Sequence, residues 1–167
     1  MDVLLVRHGK AEERDAGRWP DDRLRPLTPK GMAESHATGA ALAMLGLGLS
    51  THWTSPFTRA QQTAEGLVVG SGHALPLPQD NDLLGDQFSV ANLTQALAGL
   101  PAETRIVLVG HQPDLSELAA AWLGSKADQI ELKKGSVALF DLDQATGRGI
   151  LRWLMPVRAL MGLRGAQ

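Results

Sequence analysis

Two short apolar runs, Val3-Leu4-Leu5-Val6 and Ile106-Val107-Leu108-Val109, each deliver a histidine within two residues of their end, His8 and His111. Runs of this length, rich in β-branched side chains and bounded by polar residues or glycine, read as strands buried on both faces. Parallel strands in one sheet share a carboxyl edge, where open α/β sheets place their ligands, so the two histidines can meet there. Arg7 sets a cation beside His8, a titratable nucleophile, and Gly9 lets the chain turn away with no side chain blocking the approach. One arginine–histidine pair at a strand end is an ordinary surface feature. Two histidines each closing a buried strand are not.

The segment between these runs fills in an alternating pattern of helices and strands. Residues 10–26 mix charges of both signs with little periodicity and read as a loop, on the rim of any site at His8. Within it Arg18, Arg23 and Arg25 could face an acidic partner surface, or pair with Asp15, Asp21 and Asp22. Thr28 and Pro29 open a helix as N-cap and first helical residue, and Gly46 ends it. Its inner face is predicted along Ala33, Ala37, Ala40, Ala41, Met44 and Leu45, with His36 beside it as a structural residue. A short strand is expected at 52–54. Ser55-Pro56 then starts a helix that buries Ala60, Ala64, Leu67 and Val68, with Arg59 in its first turn. Free amides and the dipole at a helix N-terminus favour an anion, and an arginine there adds a bidentate fork.

Residues 71–87 read as connection with His73 exposed, and Ser89 caps a helix that Pro101 closes. After His111, Leu115, Leu118, Ala119, Trp122 and Leu123 follow the spacing of one helical face. Residues 136–140 and 150–155 alternate enough for an antiparallel hairpin turning at 143–147; the tail after Pro156 has no clear assignment.

Composition narrows the function classes. At 167 residues, with no repeats or linker, the chain is expected to form one domain over 1–167. A formal charge of -2 gives no global pull toward nucleic acid or an anionic membrane, so neither is an expected partner. There is no cysteine, which removes disulfides, thiolate metal sites and a thiol nucleophile. The five histidines form no cluster at metal-ligand spacing, so no metal or other cofactor is expected. The N-terminus lacks the pattern of a signal peptide and no run approaches bilayer-spanning length, so a cytoplasmic location is the expectation.

Taken together, Leu5-Val6-Arg7-His8-Gly9, Leu27-Thr28-Pro29-Lys30-Gly31, Ser55-Pro56-Phe57-Thr58-Arg59-Ala60-Gln61-Gln62-Thr63-Ala64 and Val109-Gly110-His111 make the sequence resemble the histidine phosphatase superfamily. The pieces stand in the family's order. The short chain and Arg25-Pro26-Leu27-Thr28 look most like the small bacterial phosphohistidine phosphatases of the SixA group. The resemblance implies a three-layer α/β/α sandwich with a mixed, mostly parallel central sheet, of the phosphoglycerate mutase-like kind. It also implies that His8 is the phosphorylated nucleophile and that Arg7, Arg59 and His111 bind the phosphoryl oxygens, His111 as a third cation if protonated.

Phosphoryl transfer demands in-line positioning and stabilisation of charge on the equatorial oxygens, which these side chains would supply without magnesium. The sequence departs from the family at the leaving-group acid. Gln112 follows His111 where a branch of the family has aspartate, and in the middle segment Asp82, followed by Leu83 and Leu84, is the candidate acid. A missing acid matters less for phosphohistidine, whose imidazole leaves with a pKa near ~6.5. No room exists between Gly70 and Arg105 for a large cap domain, so an open pocket is expected, with Arg25 as a candidate rim contact. The leading expectation is a metal-independent phosphatase of phosphohistidine on a partner protein in a phosphorelay or phosphotransfer system, acting in signal transduction. A broad small-molecule phosphomonoesterase and a non-catalytic phosphate-binding module are the alternatives. Oligomeric state is not fixed by the sequence, a monomer being favoured.

Overall fold

A computed structural model describes residues 1–163. Its centre is a six-stranded sheet in the order β3-β2-β4-β1-β5-β6. The strands are β1 (Asp2–Arg7), β2 (Thr51–Thr54), β3 (Gln79–Asp80), β4 (Arg105–Gly110), β5 (Val137–Asp143) and β6 (Arg148–Met155). The four strands from β3 to β1 pair in parallel, and β5 and β6 add an antiparallel hairpin beyond β1. The two apolar runs are direct neighbours: Val3 pairs with Ile106 and Arg7 with Gly110. That register places His8 and His111 just past the same sheet edge, tied by His8 N–H donating to the Gly110 carbonyl at 3.0 Å.

Side chains alternate across a strand, so each central strand feeds two cores. Val3, Leu5, Ile106 and Leu108 pack on one face against α3 (Val90–Ala98) and α4 (Asp114–Leu123). Leu4, Val6, Val107 and Val109 pack on the other against α1 (Pro29–Leu45), α2 (Thr58–Gly70) and α5 (Val157–Gly162). The result is the expected mixed three-layer sandwich. Among the described residues no helix is long and apolar enough to cross a membrane.

The expected boundaries of α1 hold, with Thr28 Oγ1 accepting from Gly31 N and Gly46 in the left-handed conformation at φ 60°. Its buried face does not. Ala33, Met44 and Leu45 are exposed, as is His36, and the helix instead buries Ser35, Thr38, Gly39 and Leu42 with Ala37 and Ala41. The reason is size. A Cβ on Gly39 would lie 2.1 Å from the Leu67 carbonyl oxygen, so α1 and α2 touch backbone to backbone. Small residues, rather than the most apolar ones, define that contact.

Two other segments depart from the sequence reading. Helix α2 starts at Thr58, not at Ser55, because Ser55 remains tied to β4 through its N–H and the Val109 carbonyl at 2.9 Å. The connection over 71–87 carries the two-residue edge strand β3 and a 3₁₀ turn at Asp82–Leu84, too short to register as periodicity. In the tail, 157–162 is helical and anchored by Leu160; the residues beyond 163 lie outside the described part.

Candidate active site

Three chain segments bring four side chains to one pocket of about 430 Å³. Strand β1 ends in Arg7 and leads to His8, β4 leads through Gly110 to His111, and Arg59 is the second residue of α2. All four line the pocket, and so does Arg25. The loop over 10–26 closes one side with Glu12, Glu13 and Arg14. It is better ordered than its composition suggests: Ala11 bridges Leu27 and a 3₁₀ turn forms at Asp22–Leu24.

His8 is 7% exposed and its ring lies 5.1 Å from that of His111, centroid to centroid. His8 Nδ1 donates to the Gly9 carbonyl at 2.8 Å, which assigns the proton to Nδ1 and leaves the Nε2 lone pair for chemistry. Gly9 is held in turn by α2, its N–H donating to Thr63 Oγ1 at 2.9 Å. Burial pushes the His8 pKa down to about 3, helped by His111 and the two arginines and opposed by the Gly9 carbonyl. The ring is therefore neutral at any ordinary pH, the state a nitrogen nucleophile needs.

His111 is also driven to about 3, first by burial and then by Arg59. In this state it is neutral, and the third cation it would provide if protonated is not present. Its Nε2 is held by Ser55, which is fully buried. Ser55 Oγ accepts from Phe57 N at 3.3 Å and lies 2.8 Å from His111 Nε2. The hydroxyl, with one proton and two lone pairs, pairs with Nε2 in either tautomer, and His111 Nδ1 is buried without a partner.

The two arginines share one arrangement. Arg7 Nη1 donates to the Leu132 carbonyl at 2.8 Å, and Arg59 Nη1 to the Asp22 carbonyl at 2.8 Å. In both, Nε is buried and unpartnered. Anchoring Nη1 leaves the Nε/Nη2 edge of each fork for a planar or tetrahedral oxyanion, and a buried donor left unpaired costs about 1–3 kcal/mol. Arg59 also stacks on Phe57 at 4.9 Å from the ring centroid.

Asp22, named in the sequence only as a pairing partner for the loop arginines, does pair with Arg25 and organises this side of the pocket. Its carboxylate lies 2.8 Å from Arg25 Nε and 3.3 Å from Arg59 Nη1. The hydrogen bond from Arg25 holds the Asp22 carboxyl below the usual range, with the charges of Arg59, Arg25 and Arg14 adding to it against a desolvation penalty. Arg25 is 7% exposed and pinned by Asp22 and by the Glu12 carbonyl at 2.8 Å, so the rim candidate is a buried wall of the pocket. Arg23 pairs with Asp21 and Asp86 outside it.

Asp82 is not part of this site. It is exposed at the start of the 3₁₀ turn, is absent from the pocket lining, and its backbone carbonyl accepts from Gly85 and Gln87. Spacing along the chain suggested a place that the fold assigns to a turn. The carboxylates that do line the pocket are Glu12 and Glu13. Their closeness to His8 in sequence was the available signal, obscured by the mixed charge around them. Gln112 also lines the pocket, but its amide is engaged by Ser116. Among the described residues no group of three histidine, aspartate or glutamate side chains could hold a metal ion.

Comparison with known proteins gives a consistent result. The model of the histidine phosphatase superfamily (branch 1) matches residues 3–84. An uncharacterised protein of Picosynechococcus sp. is 35% identical over 140 residues, 82% of either chain. The phosphohistidine phosphatase SixA of Escherichia coli is 29% identical over 161 residues, 93% of either chain. A solved structure of the protein histidine phosphatase SixA complexed with tungstate superposes with a TM-score of 0.81 at 27% identity, covering 96% of this chain and 99% of that one.

Proposed function

This chain belongs to the histidine phosphatase superfamily, and from that footing we propose that it hydrolyses phosphohistidine on a partner protein by way of a phosphorylated His8. Phosphatase activity of the superfamily's kind is the common ground; the phosphohistidine target is our own reading. The observation that carries it is the state of His8: neutral, with its proton fixed on Nδ1 by Gly9 and Nε2 free, between two arginines whose Nε atoms lack partners.

In the first step His8 Nε2 attacks phosphorus as the P–N bond to the substrate imidazole, protonated on its other nitrogen, breaks, and the neutral imidazole leaves with the bonding pair. Arg7 and Arg59 hold the equatorial oxygens through their Nε/Nη2 edges, and His111 with its proton on Nδ1 adds a neutral donor. An arriving phosphoryl dianion shifts the His111 pKa upward from its burial-lowered value, opposing the arginine charges. Water then attacks phosphorus, releasing inorganic phosphate and restoring His8. The imidazole leaving group, of pKa about 6.5, needs little help from an acid. Glu12 and Glu13 in the lining favour a second reading, a phosphomonoesterase in which one of them protonates an alkoxide.

Rapid-quench mass spectrometry under neutral conditions tests the proposal, with a phosphohistidine-bearing protein as substrate in chelator and His8→Ala alongside. A transient phosphate on His8, with turnover lost in the variant, is the expected result. Faster turnover of simple phosphate esters than of phosphohistidine overturns the substrate assignment in favour of the second reading.

A further inference from the structure

We infer that the trough beside the catalytic pocket docks an acidic segment of the phosphorylated partner protein, an inference that rests on the phosphohistidine reading above. The trough encloses about 710 Å³, more than the catalytic pocket, and shares Lys10 and Lys134 with it. The two adjoin, with these lysines on their common border. A phosphohistidine side chain occupies the catalytic part, and the rest is left for whatever surrounds that residue.

The charge of the trough identifies its occupant. Five cations converge from four parts of the chain: Lys10 after β1, Lys30 in the first turn of α1, Lys133 and Lys134 before β5, and Arg158 on α5. Glu34 lies 3.7 Å from Lys30 and Glu131 3.8 Å from Lys133. Lys10, Lys134 and Arg158 have no carboxylate within ion-pair distance among the described residues, although the whole chain carries a formal charge of -2. Burial and the charges of Arg7, Arg25 and Lys10 lower the Lys134 pKa, so the trough and the catalytic pocket share one positive field.

One wall of the trough is apolar and half-buried, formed by Leu154, Pro156 and Val157. A second phosphate on a small substrate would satisfy the cations and leave that wall wet. A polypeptide carrying carboxylates among apolar side chains satisfies both, in the manner of a charged rim around an apolar contact. Rim charges of this kind act chiefly on association rate and partner choice, and salt screens them.

The test uses the intact protein and two synthetic peptides carrying a stable triazole analogue of phosphohistidine, one flanked by glutamate and leucine, the other by glutamine and leucine. Binding is read by fluorescence anisotropy on the wild type and on the Lys133→Glu/Arg158→Glu variant, whose changed residues are exposed and outside the catalytic pocket. The wild type is expected to prefer the glutamate peptide by about tenfold at low salt, the preference fading as the Debye length shortens. The variant is expected to lose the preference while hydrolysing a small phosphoramidate at the wild-type rate. Equal affinity for the two peptides, or a preference that survives charge reversal, overturns the inference. So does tighter binding of a hexose bisphosphate than of the glutamate peptide with the same sensitivity to reversal. A glutamate peptide bearing true phosphohistidine that binds with the expected preference but is not hydrolysed sinks the catalytic reading alone.

Discussion

Asp22→Asn tests whether the free edge of the Arg59 fork is what matters. The substitution keeps the side chain's shape and the backbone carbonyl that accepts from Arg59 Nη1 at 2.8 Å, and it removes the charge 3.3 Å from that nitrogen. It also weakens the bond that pins Arg25, at 2.8 Å. A hydrogen bond to a charged group is worth about 1.5–3 kcal/mol when desolvated. The Asp22 side chain is 39% exposed, so the effective loss at Arg59 belongs near the bottom of that range. At about 1.4 kcal/mol per tenfold, kcat/KM on a phosphohistidine protein should fall about tenfold. Arg59→Lys keeps the charge but abolishes the fork, and should cost more. Steady-state kinetics with a thermal melt on each variant reads this out, Tm being expected to stay within a few degrees. Wild-type kcat/KM in Asp22→Asn would refute the positioning argument. A rise would mean that Asp22 competes with the phosphoryl group for Arg59.

The remaining predictions concern the hold on His111, the acid limb of stability and the helix contact. Ser55→Ala removes the hydroxyl that hydrogen-bonds His111 Nε2 and holds the ring; kcat should drop by about tenfold with KM little changed, and an unaltered kcat would show that His111 needs no orientation. Burial holds His8, His52 and His111 at about 3, 4 and 3, below the ordinary ~6.5, so between those values the unfolded chain binds more protons. Stability present above about pH 6.5 should therefore be lost on acidification, by about 2 kcal/mol per histidine at pH 5, and His52→Gln should flatten urea titrations compared at pH 7 and 5. Gly39→Ala puts a Cβ 2.1 Å from the Leu67 carbonyl oxygen and should cost about 1–3 kcal/mol, or about 2–4 °C in Tm per kcal/mol at this size; an unchanged Tm would refute the close contact of α1 and α2.

The sheet's central pair was legible because Val3–Val6 and Ile106–Val109 are apolar on both faces, a pattern that only an interior strand tolerates. The paired strand-end histidines followed from it, whereas Arg59 at a helix start reads on its own as a surface residue and was assigned to the site by the family resemblance. What the sequence concealed are contacts that exist only once distant or turning segments are brought together. The inner face of α1 is built from Gly39, Ser35 and Thr38 because its neighbour's backbone leaves no room for larger residues. Asp22 resembles any charged loop residue until the fold sets it between two arginines. Asp82, at a plausible place along the chain, is diverted by Asn81, whose side chain accepts from Leu83 N and starts a turn outside the pocket.

Asp22 and the loop around it also bear on which leaving group the site serves. Both arginines of the phosphoryl pocket are anchored by backbone carbonyls, and both histidines are neutral, His8 with its proton on Nδ1. That much stabilises charge on the transferred group whatever it departs from. Choice of leaving group falls to the residues of 10–26, the segment with the least secondary structure. Glu12 accepts Arg25 through its backbone and lies 3.8 Å from Arg18 through its carboxylate, so its side chain is committed to a cation at the rim. An alkoxide needs a proton as it leaves, whereas a substrate imidazole already protonated on its other nitrogen leaves as a neutral ring whose conjugate acid has a pKa near ~6.5. Glu13→Gln, which removes the remaining pocket carboxylate, should therefore leave phosphohistidine turnover within about twofold of wild type while abolishing any residual ester hydrolysis, and a matched loss on both substrates would refute this division of labour.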